Sequence, residues 1–364
     1  MAKVKPEKGK AVLPPKEDDF QGQQLDLFQS FLYNTEGERD RLSNTFDLWD
    51  SVPRYSVSRQ AMDKMRKAGT FPQLMTVPFN YRTTELAAVI QPAWIKNEDD
   101  TVTGYYPSAN EELMEDALRK IAAEQSHGYF DQSNYRSGVV FTLHLLREEL
   151  KKRGHTRSYQ QIHLSLRILA RSSIEITNRD GTSGEGVSIS SYFPTLTAVS
   201  RKKLREDPES KWMVQFHPLV TRSIDTLTYR QFNYAQMMSH STQLARWIHK
   251  QLSLKFTFAS LSTSFEMRFS TIKRDSALLE GYKQQRQAVA ALDSAFEELK
   301  ASNVLSLIKK SEVRSSRAKL EDVVYTLSAS LDFASQMKAA NKRQSLVEDK
   351  KSQVMNKTPS DKKR

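Results

Sequence analysis

The chain has 364 residues, 38% of them hydrophobic and 27% charged, and no cysteine. The missing cysteines exclude disulfides, thiolate catalysis and cysteine-held zinc, and they fit a reducing compartment, the cytoplasm. Lys and Arg outnumber Asp and Glu by 55 to 43, a net charge of +12, which favours a polyanionic partner, most often nucleic acid.

Residues 1–45 read as a polar, Pro/Lys/Asp/Glu-rich arm that buries too little apolar surface to order itself. Its basic first ten residues are followed by no apolar run, so no secretion signal is expected. No stretch of the chain reaches the roughly 18 apolar residues of a membrane span, so no membrane partner is expected. One cluster stands out in the arm, Gln24, Leu25, Asp26, Leu27 and Phe28, because exposed apolar groups in a flexible segment are usually there to be bound. Residues 46–106 mix apolar content with prolines and read as a lead-in segment with a short helix and irregular strands.

From 107 the signals sharpen. Ser108 and Asn110 are cap candidates for a helix whose Leu113, Ala117, Leu118 and Ile121 keep helical spacing. The β-branched run 138–143 reads as a strand, and 144–154 as a short helix stopped by Gly154. Ser158 caps a second helix with Tyr159, Ile162, Leu166 and Leu169 in one stripe. A hairpin follows, with a turn candidate at Asp180–Gly181. Helix, strand, helix, helix, hairpin is the order of a winged-helix domain, assigned to 107–205.

Residues 206–335 repeat that order. A strand and turn over 210–224 lead to a helix with Leu244, Trp247, Ile248 and Leu252 on one side. A strand and short helix come next, then a strong helix with Val289, Leu292, Phe296 and Leu299 at i, i+3, i+7 and i+10, then a hairpin across a basic loop. Residues 336–364 read as a basic disordered tail. The expected fold is therefore α+β, mainly helical, with two tandem winged-helix domains between disordered tails.

Catalytic patterns are absent. There is no HExxH, no glycine-rich phosphate loop, and the seven histidines are scattered. Asp18–Asp19 and Asp99–Asp100 sit in polar loops where solvated turns are the ordinary explanation. The expectation is a protein that is not an enzyme and uses no metal or cofactor. DNA-binding candidates are more specific. Opposite the stripe of helix 282–299 lie Lys283, Gln287, Ala291 and Ser294, with Arg286 and Ala290 beside them. Lys, Arg and Gln match guanine and adenine edges, and Ala permits close approach; the alternative is an ordinary solvated helix face. Lys309, Lys310, Arg314, Arg317 and Lys319 fall in the adjoining wing loop, where phosphate contacts are expected. In the first unit Arg157, Gln160, Gln161, Arg167 and Arg171 hold the corresponding places, but Leu164 and Ile168 near that face also fit packing against protein.

The segments 139–177, 239–252 and 282–302 resemble plasmid replication initiator (Rep) proteins with two winged-helix domains, most of all the RepA initiators of IncA/C-type conjugative plasmids. The resemblance spans roughly residues 107–330. It implies binding of double-stranded DNA at repeated origin sequences (iterons), opening of the origin, recruitment of the host initiator DnaA and the replicative helicase, and a monomer–homodimer balance in which the dimer represses its own gene. In such proteins the first domain provides dimerisation and backbone contact and the second reads bases. Gln24–Phe28 resembles the Q-L-[SD]-L-F pentapeptide with which bacterial proteins dock on the β sliding clamp: two leucines and a phenylalanine fill a pocket and the glutamine bonds at its edge. A short turn folded back on the first domain is the alternative. The partial echo at 251–256 is read as core packing. Two competing readings remain, a transcriptional repressor with tandem winged helices and a clamp-tethered DNA-processing enzyme.

Overall fold

The computed structural model describes residues 34–124, 127–131, 133–178, 188–198, 210–317 and 319–356, with side chains to residue 349. The Gln24–Phe28 motif and the Asp180–Gly181 turn lie outside the described residues.

The first unit begins earlier than the sequence suggests. Helix α1 (Glu36–Arg41) opens with a capping box between Thr35 and Glu38, and strand β1 (Leu42–Phe46) follows directly. β1 pairs antiparallel with β12 (Tyr229–Asn233), so residues 34–45 belong to the folded body and not to a disordered arm. After a 3₁₀ turn (Trp49–Ser51) and α2 (Arg59–Lys67), the expected lead-in segment forms two regular hairpins. β2 (Met75–Tyr81) and β3 (Thr84–Gln91) pair through a tight turn in which Arg82 takes φ 55°, and β4 (Ala93–Lys96) pairs with β5 (Val102–Tyr105). Alternation explains the regularity: Val77 and Phe79, then Ala88 and Ile90, face the core. Pro78 is tolerated because β2 is an edge strand, with β3 as its one neighbour in the sheet.

The winged-helix order then appears as expected: α3 (Ala109–Ala123), β6 (Gly128–Asp131), β7 (Arg136–Thr142), α4 (Leu143–Lys152), α5 (Tyr159–Arg171), β8 (Ser173–Asn178) and β9 (Ser188–Ser191). β10 (Thr195–Ala198), β11 (Lys211–Gln215) and helix α6 (Pro218–Asp225) come next. The sequence reading places β11 in the second unit, but it pairs with β7 and its Trp212 and Val214 enter the first core. With α7 (Tyr234–Met238) the first core closes, so the two apolar cores part near residue 240, not at 205/206.

The second unit contains α8 (Gln243–Lys255), β13 (Ser264–Arg268), α9 (Phe269–Ser276), α10 (Gln285–Ala301), β14 (Leu305–Arg314) and β15 (Leu320–Ala329), with strands ordered β13-β15-β14. The chain ends in α11 (Leu331–Asn356), which replaces the expected disordered tail over 336–356. Its composition misleads because few apolar residues suffice: Phe333 and Met337 complete the second core, while Gln344 donates to Leu227 O (2.8 Å) and Arg343 to Glu38 (3.1 Å) in the first unit. Helices account for 43% of the described residues, so the class is α+β without helical dominance. Among the described residues no helix is long and apolar enough to cross a membrane.

Candidate nucleic-acid interface

Helix α10 carries the expected division of faces. Ala288, Val289, Leu292, Ala295, Phe296 and Leu299 are buried, packing on α8 and β14. Lys283, Arg286, Gln287, Ala290 and Ser294 are exposed, and Ala291 is half-buried. Gln284 accepts from Arg286 Nε at 2.7 Å, which holds the guanidinium near the helix start. Ser294 Oγ donates to Ala290 O (3.0 Å) and keeps its lone pairs outward. The small Ala290 between them leaves room for a base edge to approach.

The wing departs from the sequence reading in register. Strand β14 runs on to Arg314, so Lys309, Lys310 and Arg314 are strand residues, and only Arg317 and Lys319 lie in the turn. Successive side chains therefore take opposite faces. Lys310 stands opposite the buried Tyr325, on the side facing α10, and bonds Asp293 Oδ2 at 2.6 Å. Tyr325 Oη donates to the other oxygen of Asp293 at 2.7 Å. Lys310 thus pins wing to helix, while Lys309, opposite Thr326, is on the other face. Arg314 Nη2 is engaged by Glu312 at 2.5 Å. The exposed cations nearest the tip are Arg317 and Lys319.

In the first unit the corresponding helix is covered. Leu164 and Ile168 of α5 pack with Ala93, Ile95 and Tyr105 of the β4–β5 hairpin. The cations near that face are drawn into protein contacts: Arg157 bonds Asn110 Oδ1 (Nη2 at 2.9 Å), Arg167 reaches Lys96 O (3.4 Å) and Arg171 reaches Trp94 O (3.5 Å). Burial also depresses the Arg157 pKa, with Arg246 adding to the effect. Gln161 closes the capping box on Ser158, leaving Gln160 as the exposed member of the set without a partner role. An exposed polar helix face is thus present on α10, whereas on α5 the β4–β5 hairpin covers the side that carries Leu164 and Ile168.

What positions α10 relative to the first unit is a buried charge cluster that the sequence did not reveal. α3 is buried from Glu111 to Ala123 and α8 from Leu244 to Ser253, since each lies between the two units. Lys250 Nζ on α8 bonds Glu112 Oε1 (3.1 Å) and Asp116 Oδ2 (2.5 Å) on α3. Asp116 also accepts from Arg119 (2.6 Å), Arg119 bonds Asp50 (2.8 Å), and Asp50 pairs with Arg54 (2.8 Å). Arg54 reaches Glu115 at 3.0 Å and lies 4.4 Å over the Trp49 ring, whose Nε1 donates to Glu115 at 2.5 Å. Gln251 Nε2 donates to Asp50 O (2.8 Å) and Gln243 to Tyr55 O (3.0 Å), tying α8 further to the first unit. Burial alone would favour neutral carboxyls, but Arg54 and Arg119 hold Glu115 down at about 2. Burial likewise opposes the Lys250 charge, and Asp116, Glu112 and Asp50 outweigh it, raising its pKa. The spacing of Glu112, Glu115, Asp116 and Arg119 along one helix side was the available signal, but a charged stripe ordinarily faces water.

A buried histidine pair adjoins this cluster. His240 Nε2 and His249 Nδ1 are 2.9 Å apart, and burial pushes His240 down to about 4 and His249 well below the usual imidazole range.

No protein-family model matches the chain, and no curated protein matches it significantly. Among solved structures, domains 2 and 3 of RctB, as a selenomethionine derivative, align with a TM-score of 0.44 at 10% identity, over 71% of this chain and 91% of that one. A second structure of RctB domains 2–3 aligns at 0.41 and 10% identity, covering 72% and 93%. The Pi initiator protein, in complex with iteron DNA, aligns at 0.33 and 10% identity, covering 81% and 99%.

Proposed function

We propose that the chain binds double-stranded DNA through α10 and the β14–β15 wing, and that it acts as a plasmid-type replication initiator recognising repeated origin sequences. The observation that carries the DNA reading is α10 itself: one face is wholly buried, and the other offers Arg286 and Gln287 beside the small Ala290, with Lys283 two residues ahead of the helix rather than on it. Those side chains carry the donors and acceptors that fit base edges, and Arg317 and Lys319 at the wing tip suit phosphates. The initiator role rests on the sequence resemblance, as do recruitment of DnaA and the replicative helicase, monomer–dimer autorepression and action in the bacterial cytoplasm. The reading includes no catalytic step and no cofactor. A repressor without a replication role would use the same helix and wing.

The test separates base reading from backbone contact. Arg286→Ala should weaken binding to the cognate origin repeat by about 1–3 kcal/mol while leaving random DNA nearly unaffected. Arg317→Ala with Lys319→Ala should weaken both and reduce the salt slope by about one for each phosphate that is no longer neutralised. Equal losses on both DNAs for Arg286→Ala would remove α10 from the role of reader. Replication of a plasmid carrying the gene and its flanking DNA as sole origin distinguishes initiator from repressor.

The Gln24–Phe28 segment is proposed as a β-clamp ligand. A peptide of residues 20–32 should bind purified clamp in the micromolar range, and Leu27→Ala with Phe28→Ala should cost at least about tenfold. Undiminished clamp binding by the doubly substituted protein would dismiss this part of the reading.

A further inference from the structure

Along α10, Arg286, Ala290, Asp293 and Glu297 follow at steps of four, three and four residues, so they form one row on the helix surface. Asp293 stands where this row borders the buried stripe, one residue past Leu292 and three before Phe296. An unpaired carboxylate in that place would repel the phosphates of a duplex lying against Arg286 and Ala290. Both oxygens of Asp293 are instead engaged by the wing. Lys310 Nζ of β14 donates to Oδ2 at 2.6 Å, and Tyr325 Oη of β15 donates to Oδ1 at 2.7 Å. The Tyr325 ring is buried and centred 4.7 Å from that of Phe296, with the Lys310 ammonium 5.9 Å from its centre. One carboxylate thus receives both strands of the wing.

The contact lies well back from the end that it aims. β14 ends at Arg314, four residues beyond Lys310, and the turn with Arg317 and Lys319 follows. At about 3.3 Å per residue that turn begins roughly 13 Å from the pin, so a tilt of about 10° there displaces it by about 2 Å. Such a shift exceeds what a hydrogen bond to a phosphate oxygen tolerates. An ion pair whose side chains are 35% and 39% exposed adds little to stability, so what it contributes is the geometry it fixes.

We propose that Asp293 is a positioning residue of the DNA interface: it holds the wing against α10 so that Arg317 and Lys319 meet phosphates while Arg286 and Gln287 meet bases. Lys310 acts through Asp293 and is not itself a phosphate ligand. The proposal rests on the reading of α10 and the wing as the DNA interface. It reverses the sign that charge alone would set. Removing a carboxylate from a DNA-facing surface makes the local field more positive and should tighten binding, whereas removing a positioning residue loosens it.

The test uses the full chain, with a duplex that it selects from a random-sequence pool as cognate probe and a scrambled duplex of equal length as control. Asp293→Ala should weaken cognate binding about tenfold and leave the scrambled duplex within about twofold, so the preference falls although a negative charge is gone. Asp293→Asn, which keeps an acceptor for Tyr325, should recover most of that loss. Lys310→Met should leave the salt slope of the parent unchanged, since Tyr325 still holds Asp293, whereas loss of a phosphate ligand lowers the slope by about one. That slope decides the matter even where Asp293→Ala melts low. Cognate binding by Asp293→Ala as tight as the parent's, or tighter, overturns the proposal, and so does a slope lowered by about one in Lys310→Met. A parent chain that selects no sequence from the pool fails the DNA-interface reading itself. One that selects a sequence which Asp293→Ala then binds undiminished loses only the positioning role.

Discussion

Lys250→Met removes the single cation that bridges Glu112 and Asp116 across the two units, while keeping the side chain's length and apolar stem. Lys250 is buried and its two carboxylate partners stand at 3.1 and 2.5 Å, so the change leaves two buried negative groups sharing only the arginines of the cluster. Breaking a buried ion pair from one side costs about 3–5 kcal/mol, far above the 0–1 kcal/mol of a surface pair. At about 2–4 °C per kcal/mol for units of this size, melting should fall by roughly 6–20 °C at pH 7. The deficit should shrink on acidification. In the variant one carboxyl of the pair is driven above its unfolded pKa, so the fold takes up a proton before the unfolded chain does, and relative stability rises as pH falls toward 5. Adding Asp116→Asn should recover much of the loss at pH 7. Urea titrations of the three proteins at pH 7 and pH 5 provide the measurement. A loss below about 1 kcal/mol at pH 7, or a deficit independent of pH, would refute the account of the cluster as a desolvated, charge-balanced pin between the units.

Histidines give a second pH signature: burial holds His217 at about 3 and His240 at about 4, so both stay neutral in the fold while the unfolded imidazole, near 6.5, takes a proton. Stability should therefore fall as pH drops from 7 to 5, by about 2 kcal/mol for each of the two, and a urea midpoint flat over that window would contradict it. The carboxylates act lower, since Glu115 at about 2 begins to lose its contribution only below the ordinary unfolded value near 4.5. A chain ending at residue 330 loses Phe333 and Met337, both buried in the second core, at about 1.5–3 kcal/mol each, whereas one ending at 350 keeps them. Thermal melts should place the shorter chain many degrees below the longer; equal melting would show that α11 contributes nothing to the fold.

Short-range pattern carried the elements that were legible. Val289, Leu292, Phe296 and Leu299 recur at helical spacing, and their burial against α8 and β14 follows from that spacing. The same holds for the capping residues Ser108 and Ser158, and for the stop at Gly154, whose φ of 84° suits glycine. The polar face of α10 was therefore readable, being the complement of its stripe. What opposes that face, or any other, was not. Leu164 and Ile168 of α5 only hinted at a cover, and the β4–β5 hairpin that supplies it comes from a stretch read as irregular. Lys309 and Lys310 were grouped because they are adjacent in sequence, and the length of β14 sends them to opposite faces. Residues 336–356 looked too polar to fold, yet the buried Met337, Ala340 and Val347, on a helix already anchored by Phe333, sufficed. Glu112, Asp116 and Lys250 lie more than a hundred residues apart in part, and nothing local distinguishes them from solvated charges. A charge can be buried only where opposite charges from other segments meet it, and that meeting exists only once the two units have packed.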